Sequence, residues 1–320
     1  MQAIVVTRPG GPEVLELQQL PEPVPQAEEV LVNVQAAGLN FADLLSARGN
    51  YQGVPPPPFV AGREFSGVVA ETGEEVMGYT QWGAFAEKVA ARRNLLWPKP
   101  AGFNFAEAAA FPVNFFTAYL ALWKAGLTAS VNNSGQRRRV LIHAIAGGVG
   151  TAALQIARAL GLETYGTASS DEKLAKAREH GLDHAINYAR DDYENAIRDL
   201  TRGEGVDAVL EMLGGEHTAK SVRCLRWFGS VISYGSATGK PGEVNAPGLF
   251  VRSTSVHGLW LSRVAEREEI MTPAWQQLSR WIDEGKLRPV VGAVLPLERT
   301  RDAYQLMQER KHVGKIVLEL

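Results

Sequence analysis

The sequence predicts an α/β protein in which a doubly wound parallel sheet is joined to a separate β-rich domain. Three features carry that expectation. The stretch "VLIHAIAGGVGTAALQIARALG", Val140 to Gly161, reads as strand, glycine turn and helix. Strand-like and helix-like segments then alternate, which implies a parallel sheet covered by helices. Before it, "QAIVVTR", "EVLVNVQAAG", "REFSGVVAET" and "GAFAEKVAAR" are strand-like, with Pro- and Gly-rich connections and little helix.

The central stretch has no charged residue from Val140 to Ala157, a length that approaches a membrane span. Gly147, Gly148 and Gly150 interrupt it, and His143 and Gln155 lie inside it, so a lipid-facing helix is a poor match. As separate elements, every residue finds a reason. "RVLIH" is β-branched and apolar, as a strand buried on both faces should be. The helix places Val149, Ala153, Ile156, Ala157 and Leu160 on one stripe, and Gly161 ends it. A second strand, "ETYGTA", leads to "SSDEKLAKAREHG", where Ser169 and Glu172 have the spacing of a capping box. "HAINY", "VDAVLEM" and "GSVISYG" continue the strands, with helices from Tyr193 and Glu216 between them. Near the C-terminus a helix is signalled by Thr272 as cap, Pro273 in the first turn and Gly285 after its end, and "GKIVLEL" closes the chain as a strand.

Bulk properties narrow the function. A chain of 320 residues is long enough for two domains. A net charge of -2 gives no drive toward nucleic acid or acidic membranes, and Arg137 to Arg139 read as a solvated loop before a strand. The N-terminus lacks a basic region followed by an apolar one, and the single cysteine, Cys224, can form neither an internal disulfide nor a cysteine metal site. These features fit a cytoplasmic protein. "GVPPPPFVAG" reads as a stiff surface connection.

The glycine turn carries chemistry. The pattern G-x-G-x-x-G falls on positions 145, 147 and 150, with Ile145 in place of the first glycine. Gly147 lets the backbone approach a pyrophosphate, and Gly150 lets helix and strand pack closely. The helix N-terminus offers free N–H groups to phosphates, which makes Ala146, Gly147, Gly148, Val149 and Gly150 candidate dinucleotide contacts. An NAD site usually carries an acid at the end of the second strand. Here that end reads Thr167-Ala168-Ser169-Ser170, followed by Lys173. Hydroxyls beside a lysine suit the 2′-phosphate of NADPH; equally, the serines cap a helix and Lys173 is a surface lysine.

The ordered set "GLNFAD" (38–43), "GREFSGVV" (62–69), "FPVNFFTAYLAL" (111–122), "HAIAGGVGTAALQIARALG" (143–161), "ISYGSATG" (232–239) and "HVGKIVL" (312–318) spans nearly the whole chain. It resembles the medium-chain dehydrogenase/reductase superfamily, and within it the zinc-independent quinone oxidoreductases, the ζ-crystallin group. The resemblance implies a GroES-like β-rich catalytic domain over residues 1–115 and 255–320, and a Rossmann domain over 116–254. It implies NADPH as cofactor, a homodimer formed by edge strands near "SVISYG" and "STSVHGLWL", and a set of site residues. Asn40 is expected to hydrogen-bond a substrate oxygen or the nicotinamide region, or to serve as a helix cap with Asp43. Tyr51 is a candidate donor to substrate. Thr117, Gly235 and Ser236 are expected beside the nicotinamide, with Leu213, Tyr234, Leu259 and Trp260 also contacting cofactor. Tyr188 and Arg310 match positions that approach the 2′-phosphate with Lys173.

Zinc-dependent alcohol dehydrogenases of the superfamily place a cysteine near the position of Asn40 and a histidine in a "GHE" segment; here the latter reads Gly62-Arg63-Glu64. His180 and His184 are separated by the helix-breaking Gly181, and no set of metal ligands is visible, so no metal is expected. Hydride addition to a simple ketone builds charge that zinc would hold. Without it the acceptor must carry its own activation, as quinones do and conjugated enals and enones do less strongly. The expected activity is NADPH-dependent quinone reduction. The alternatives are an NADPH-dependent reductase of α,β-unsaturated carbonyls and a non-catalytic NADPH-binding or RNA-binding protein.

Overall fold

The computed structural model describes residues 1–128 and 135–320. It comprises two compact units, one of Met1–Asn114 with Arg288–Leu320 and one of Phe115–Leu287. The expected return to the first domain at residue 255 therefore falls at 288. Pairing explains the difference: the strand Ser255–Gly258 lies parallel to Leu225–Ser233. The helix after it packs in the same unit, with Trp275 and Trp281 at ring-centroid distances of 6.5 and 6.1 Å from Phe116 and Tyr119.

The second unit is built on six parallel strands. Their spatial order is His184–Asn187, Glu163–Ala168, Arg139–Ile142, Val206–Glu211, Leu225–Ser233 and Ser255–Gly258. The chain enters at the middle, steps outward one way, then crosses to build outward the other way. The order reverses between Arg139–Ile142 and Val206–Glu211, the place where doubly wound sheets bind ligands beyond the carboxyl ends of their strands. Val140, Leu141, Ile142, Ala208, Val209 and Leu210 are all fully buried, which is why these strands read as apolar runs.

Of the expected stripe on Gly148–Ala159, Ala153, Ile156 and Ala157 are buried while Val149 and Leu160 are only half-buried, and burial extends instead over Gly150 to Ala152 and Leu154. Two helix starts also differ from expectation. Ser170, not Ser169, caps Asp171–Glu179: Ser170 is extended, and its Oγ accepts from Lys173 N at 3.3 Å. The C-terminal helix begins at Glu268, so Pro273 lies inside Glu268–Asp283 and removes one intrahelical bond instead of opening the helix.

The first unit holds a three-stranded sheet and a seven-stranded sheet. In the strand Glu29–Leu39, Val30, Val32 and Val34 alternate into the core. A register shift between Val34 and Ala36 ends the alternation, and Ala36 to Leu39 are all buried. Small residues are needed there because Ala109 and Ala110 pack against Ala36 and Val317. The final strand, Lys315–Glu319, runs antiparallel to Glu29–Leu39 and sets Val317 opposite Gly38. Among the described residues, no helix is long and apolar enough to cross a membrane.

Candidate active site

In the second unit, the sequence-selected residues gather at the carboxyl ends of the parallel strands. Ala146 to Gly150 follow Arg139–Ile142, Ser169 and Ser170 follow Glu163–Ala168, and Tyr188 follows His184–Asn187. Leu213 follows Val206–Glu211, Tyr234 to Ser236 follow Leu225–Ser233, and Leu259 and Trp260 follow Ser255–Gly258. Thr117 is the exception, buried in the helix Pro112–Lys124.

The first turn is set by backbone geometry. Ala144 adopts φ 49°, Gly147 N donates to Ala144 O at 2.8 Å, and the helix is capped by Gly147 with no side-chain hydrogen bond at the cap. Its first N–H groups have no intrahelical partner, so they suit an anion. Gly150 holds the turn close to the helix: a Cβ there would sit 2.3 Å from Ala144 O and 2.7 Å from Ile145 O. Ile145 stands where a glycine was expected because its fully buried side chain is core, lying against Gly166 in the neighbouring strand. His143 just before the turn is also structural. Its ring nitrogens pair with Thr167 Oγ1 at 3.0 Å and Ser221 Oγ at 3.1 Å, and burial brings the imidazole down to about 3, so it stays neutral.

Beside this turn, Tyr188 N donates to Ala168 O at 3.1 Å, which sets the Tyr188 backbone beside the end of the second strand, where Ser169 follows. Two acids open the following helix, Asp171 and the exposed Glu172, and Asp171 is engaged elsewhere. It accepts from Asn187 Nδ2 at 3.0 Å and pairs with Arg190 at 3.4 Å. The end of the second strand thus offers hydroxyls, a lysine and a phenol, with its nearest acid already matched by a guanidinium. Arg310 belongs to the other unit, just past the helix Thr300–Gln308.

Glu211 was not singled out by sequence. It is fully buried at the end of its strand and accepts from Leu213 N at 2.6 Å, Gly214 N at 2.9 Å and Thr218 Oγ1 at 3.1 Å. It thereby shapes the turn carrying Leu213, while Ala237 N and Thr238 N donate to Met212 O and Leu213 O and tie in the turn carrying Gly235 and Ser236. A carboxylate ending an apolar strand was the available signal.

In the first unit, Asn40 caps the helix Phe41–Ala47, and its backbone N donates to Asp43 Oδ2 at 2.8 Å. Its side chain is part of a buried cluster. Nδ2 donates to Glu64 Oε1 at 2.8 Å and to Gly38 O at 3.3 Å, while Oδ1 accepts from Lys315 Nζ at 2.6 Å. Lys315 also pairs with Glu64 Oε1, and Glu64 Oε2 accepts from Val113 N at 2.8 Å. Tyr51 joins the same neighbourhood through Arg63, whose guanidinium carbon lies 4.1 Å from the Tyr51 ring centroid. Arg63 Nη2 donates to Ser46 Oγ at 2.5 Å, and its Nε lies 3.3 Å from Asp43 Oδ1. Burial pushes the Asp43 carboxyl up to about 6, against the opposing pull of Arg63. Asp43 therefore links the two sequence-selected residues, touching Asn40 on one side and the support of Tyr51 on the other.

This donor set does not fit a zinc ion. Asn40 and Arg63 stand at the positions where zinc-dependent dehydrogenases carry cysteine and histidine. The Asn40 amide is tied to Glu64, Gly38 and Lys315, and a guanidinium cation is not a ligand. Among the described residues, no three His, Cys, Asp or Glu side chains are grouped to hold a metal.

The two units match two family models in the same order: "alcohol dehydrogenase GroES-like domain" over residues 26–81 and "zinc-binding dehydrogenase" over 148–283. Full-length relatives decide the assignment. The synaptic vesicle membrane protein VAT-1 homolog of Rattus norvegicus is 33% identical, covering 99% of this chain and 84% of that protein. Quinone oxidoreductase-like protein 2 of Mus musculus is 32% identical, covering 96% and 89%. The chain belongs to the medium-chain dehydrogenase/reductase superfamily. Within this superfamily it is an oxidoreductase of the quinone oxidoreductase-like group, with a GroES-like unit and a Rossmann unit. The quinone oxidoreductase of Thermus thermophilus, whose crystal structures include a complex with NADPH, superposes with a TM-score of 0.87 at 37% identity over 100% of both chains.

Proposed function

We propose that this medium-chain reductase transfers hydride from NADPH to a quinone without a metal ion. The observation that carries the cofactor reading is the end of the second Rossmann strand. Ser169, Ser170 and Lys173 follow that strand, Tyr188 follows its neighbour, and Asp171 is held by Asn187 and Arg190. A 2′-phosphate gains charge-assisted hydrogen bonds from such a set, whereas a ribose 2′-OH lacks its usual acid. The Thermus thermophilus enzyme's complex with NADPH supports the same reading.

The turn Ala144–Gly150 binds the pyrophosphate by backbone N–H groups. Thr117, Gly235 and Ser236 border the nicotinamide, with Leu213, Tyr234, Leu259 and Trp260 completing the cofactor contacts. NADPH, when bound, supplies the hydride. The protein binds, orients and excludes water, and Tyr51 faces the acceptor.

The acceptor reading follows from Asn40 and Arg63, which leave no electrophile to hold an alkoxide. A quinone needs none: it takes up one hydride and one proton, and becomes an aromatic hydroquinone. Reduction of α,β-unsaturated carbonyls is the second reading, favoured by Tyr51, whose hydroxyl can protonate carbon and whose ring is held over Arg63. A homodimer is supported by the strand Ser255–Gly258, an edge of the six-stranded sheet among the described residues, whereas Leu225–Ser233, which carries most of "SVISYG", is paired on both sides and is not an edge. NADPH oxidation measured across quinones, enals, enones and saturated ketones tests the function, and NADH in the same assays tests the cofactor.

A further inference from the structure

The helix that follows the second Rossmann strand opens on an acid whose counter-ion is built on the neighbouring strand. Asp171 is its first residue, directly after the cap Ser170. Asp171 Oδ1 accepts from Asn187 Nδ2 at 3.0 Å, and Oδ2 lies 3.4 Å from Arg190 Nη1. Asn187 ends the strand His184–Asn187 and is 8% exposed. Its Oδ1 accepts from Ala189 N at 3.1 Å, which turns the amide so that its NH2 points to Asp171. A buried side chain of fixed orientation therefore ties the Asp171 carboxylate to the end of this strand.

Arg190 is placed by the same residue. Arg190 N and Asp191 N both donate to Asn187 O, at 3.1 and 2.8 Å, and so fold the chain back past the strand end. Asp191 accepts from Arg190 Nε at 3.2 Å and from Nη2 at 3.1 Å. Asp191 thus aims the guanidinium, and Nη1 is left to face Asp171. Glu172, the second acid of the helix, is exposed and lies outside this arrangement.

A bare carboxylate at Asp171 would work against NADPH in two ways. It would repel a 2′-phosphate, and it would accept from a ribose 2′-OH, as the acid near this place does in NAD sites. With Arg190 on Oδ2 and Asn187 on Oδ1, both carboxylate oxygens are engaged and the charge is offset.

We propose that Arg190 is a specificity-determining residue that acts through Asp171: it masks the acid and so turns the site from a 2′-hydroxyl toward a 2′-phosphate. The proposal rests on the NADPH reading and deepens it. Lys173 draws the phosphate in, whereas Arg190 removes what would push it out.

The test uses only the adenosine end of the cofactor, titrated by calorimetry into the intact protein at low salt. Adenosine 2′,5′-bisphosphate carries the 2′-phosphate, and adenosine 5′-monophosphate carries a hydroxyl there. Wild type is expected to favour the bisphosphate. Arg190→Gln is expected to weaken the bisphosphate about two- to fivefold, the span of an exposed charge interaction, with the monophosphate bound no more weakly than by wild type. Adding Asp171→Asn to Arg190→Gln is expected to recover the loss, because no acid is left to mask. The Arg190 and Asp171 side chains are 65% and 66% exposed, so neither substitution opens the core. A loss that persists in the double variant overturns the proposal, since Arg190 then contacts the phosphate itself. Equal losses for both nucleotides, or an undiminished preference in Arg190→Gln, overturn it too. Wild type that binds the monophosphate as tightly as the bisphosphate overturns the NADPH reading, and this proposal with it.

Discussion

The guanidinium of Arg63 lies under the ring of Tyr51, 4.1 Å from its centroid. Arg63 is itself held by Ser46 and Asp43, so the tyrosine on the loop after Phe41–Ala47 is seated on a buried cation. Ring and hydroxyl therefore have separable roles. Tyr51→Phe keeps the ring and is expected to slow an enone more than a quinone, because hydroquinone oxygens can take protons from water. Tyr51→Leu removes the stack and is expected to cost about 0.5–2 kcal/mol in urea unfolding. Equal rate losses for both acceptors in Tyr51→Phe count against a proton-donor role.

Lys173 is expected to separate the two cofactors. A charge-assisted phosphate contact contributes about 1.5–3 kcal/mol, so Lys173→Ala should raise KM for NADPH about tenfold or more and leave KM for NADH nearly unchanged. Steady-state kinetics with both cofactors checks this; equal losses make the lysine structural.

The glycine turn gives a stability prediction. Gly150→Ala sets its Cβ against backbone, 2.3 Å from Ala144 O, and backbone cannot move aside as a flexible side chain can. The expected cost is about 1–3 kcal/mol by denaturant unfolding, together with weaker NADPH binding. Gly147→Ala meets Ala144 O at 3.3 Å, a tight contact but a full 1 Å looser than at Gly150, and is expected to cost less stability than Gly150→Ala while still losing cofactor affinity. Unimpaired binding in both variants contradicts a pyrophosphate at this turn.

Two buried groups pull pH dependence in opposite directions. His143 titrates near 3 in the folded protein, below its ordinary 6.5. Its contribution is present above 6.5 and is lost as pH falls toward 3, by about 1.4 kcal/mol per pH unit at most. Asp43 is raised from 3.8 to about 6, so its contribution is present below 3.8 and is lost as pH rises through 6. The two offset each other over roughly pH 4 to 6. In urea unfolding against pH, His143→Gln should flatten the acid loss below 6.5, and Asp43→Asn should gain on wild type between pH 4 and 6. Profiles parallel to wild type in both variants contradict these assignments.

The parts of the fold legible in the sequence are those where one local rule decides. Apolar strands ending in glycine turns announced the parallel sheet, and the motif around Gly147 and Gly150 located its first turn. Boundaries were less legible. Ser169 and Ser170 are equally good caps by type, and only the extended backbone of Ser170 selects it. Pro273 was read as a helix start because proline favours that place, yet tertiary packing carries the helix back to Glu268. The return of the chain at 288 depends on which sheet the strand Ser255–Gly258 joins, and strand pairing leaves no local mark. In the site, Asn40 and Tyr51 were legible by resemblance, but their supports were not. Lys315 reads as a surface lysine in "HVGKIVL", and only the register that sets Val317 opposite Gly38 brings it to Glu64.

The central claim is that activation resides in the acceptor and not in a metal. The most direct measurement is the initial rate of NADPH oxidation by the chelator-treated protein across acceptors ranked by electron affinity. The account predicts fast turnover of 1,4-benzoquinone and a naphthoquinone, slower turnover of enones, and none with saturated ketones or aldehydes. A saturated ketone reduced as fast as a quinone, or activity with every acceptor lost on chelation, contradicts it.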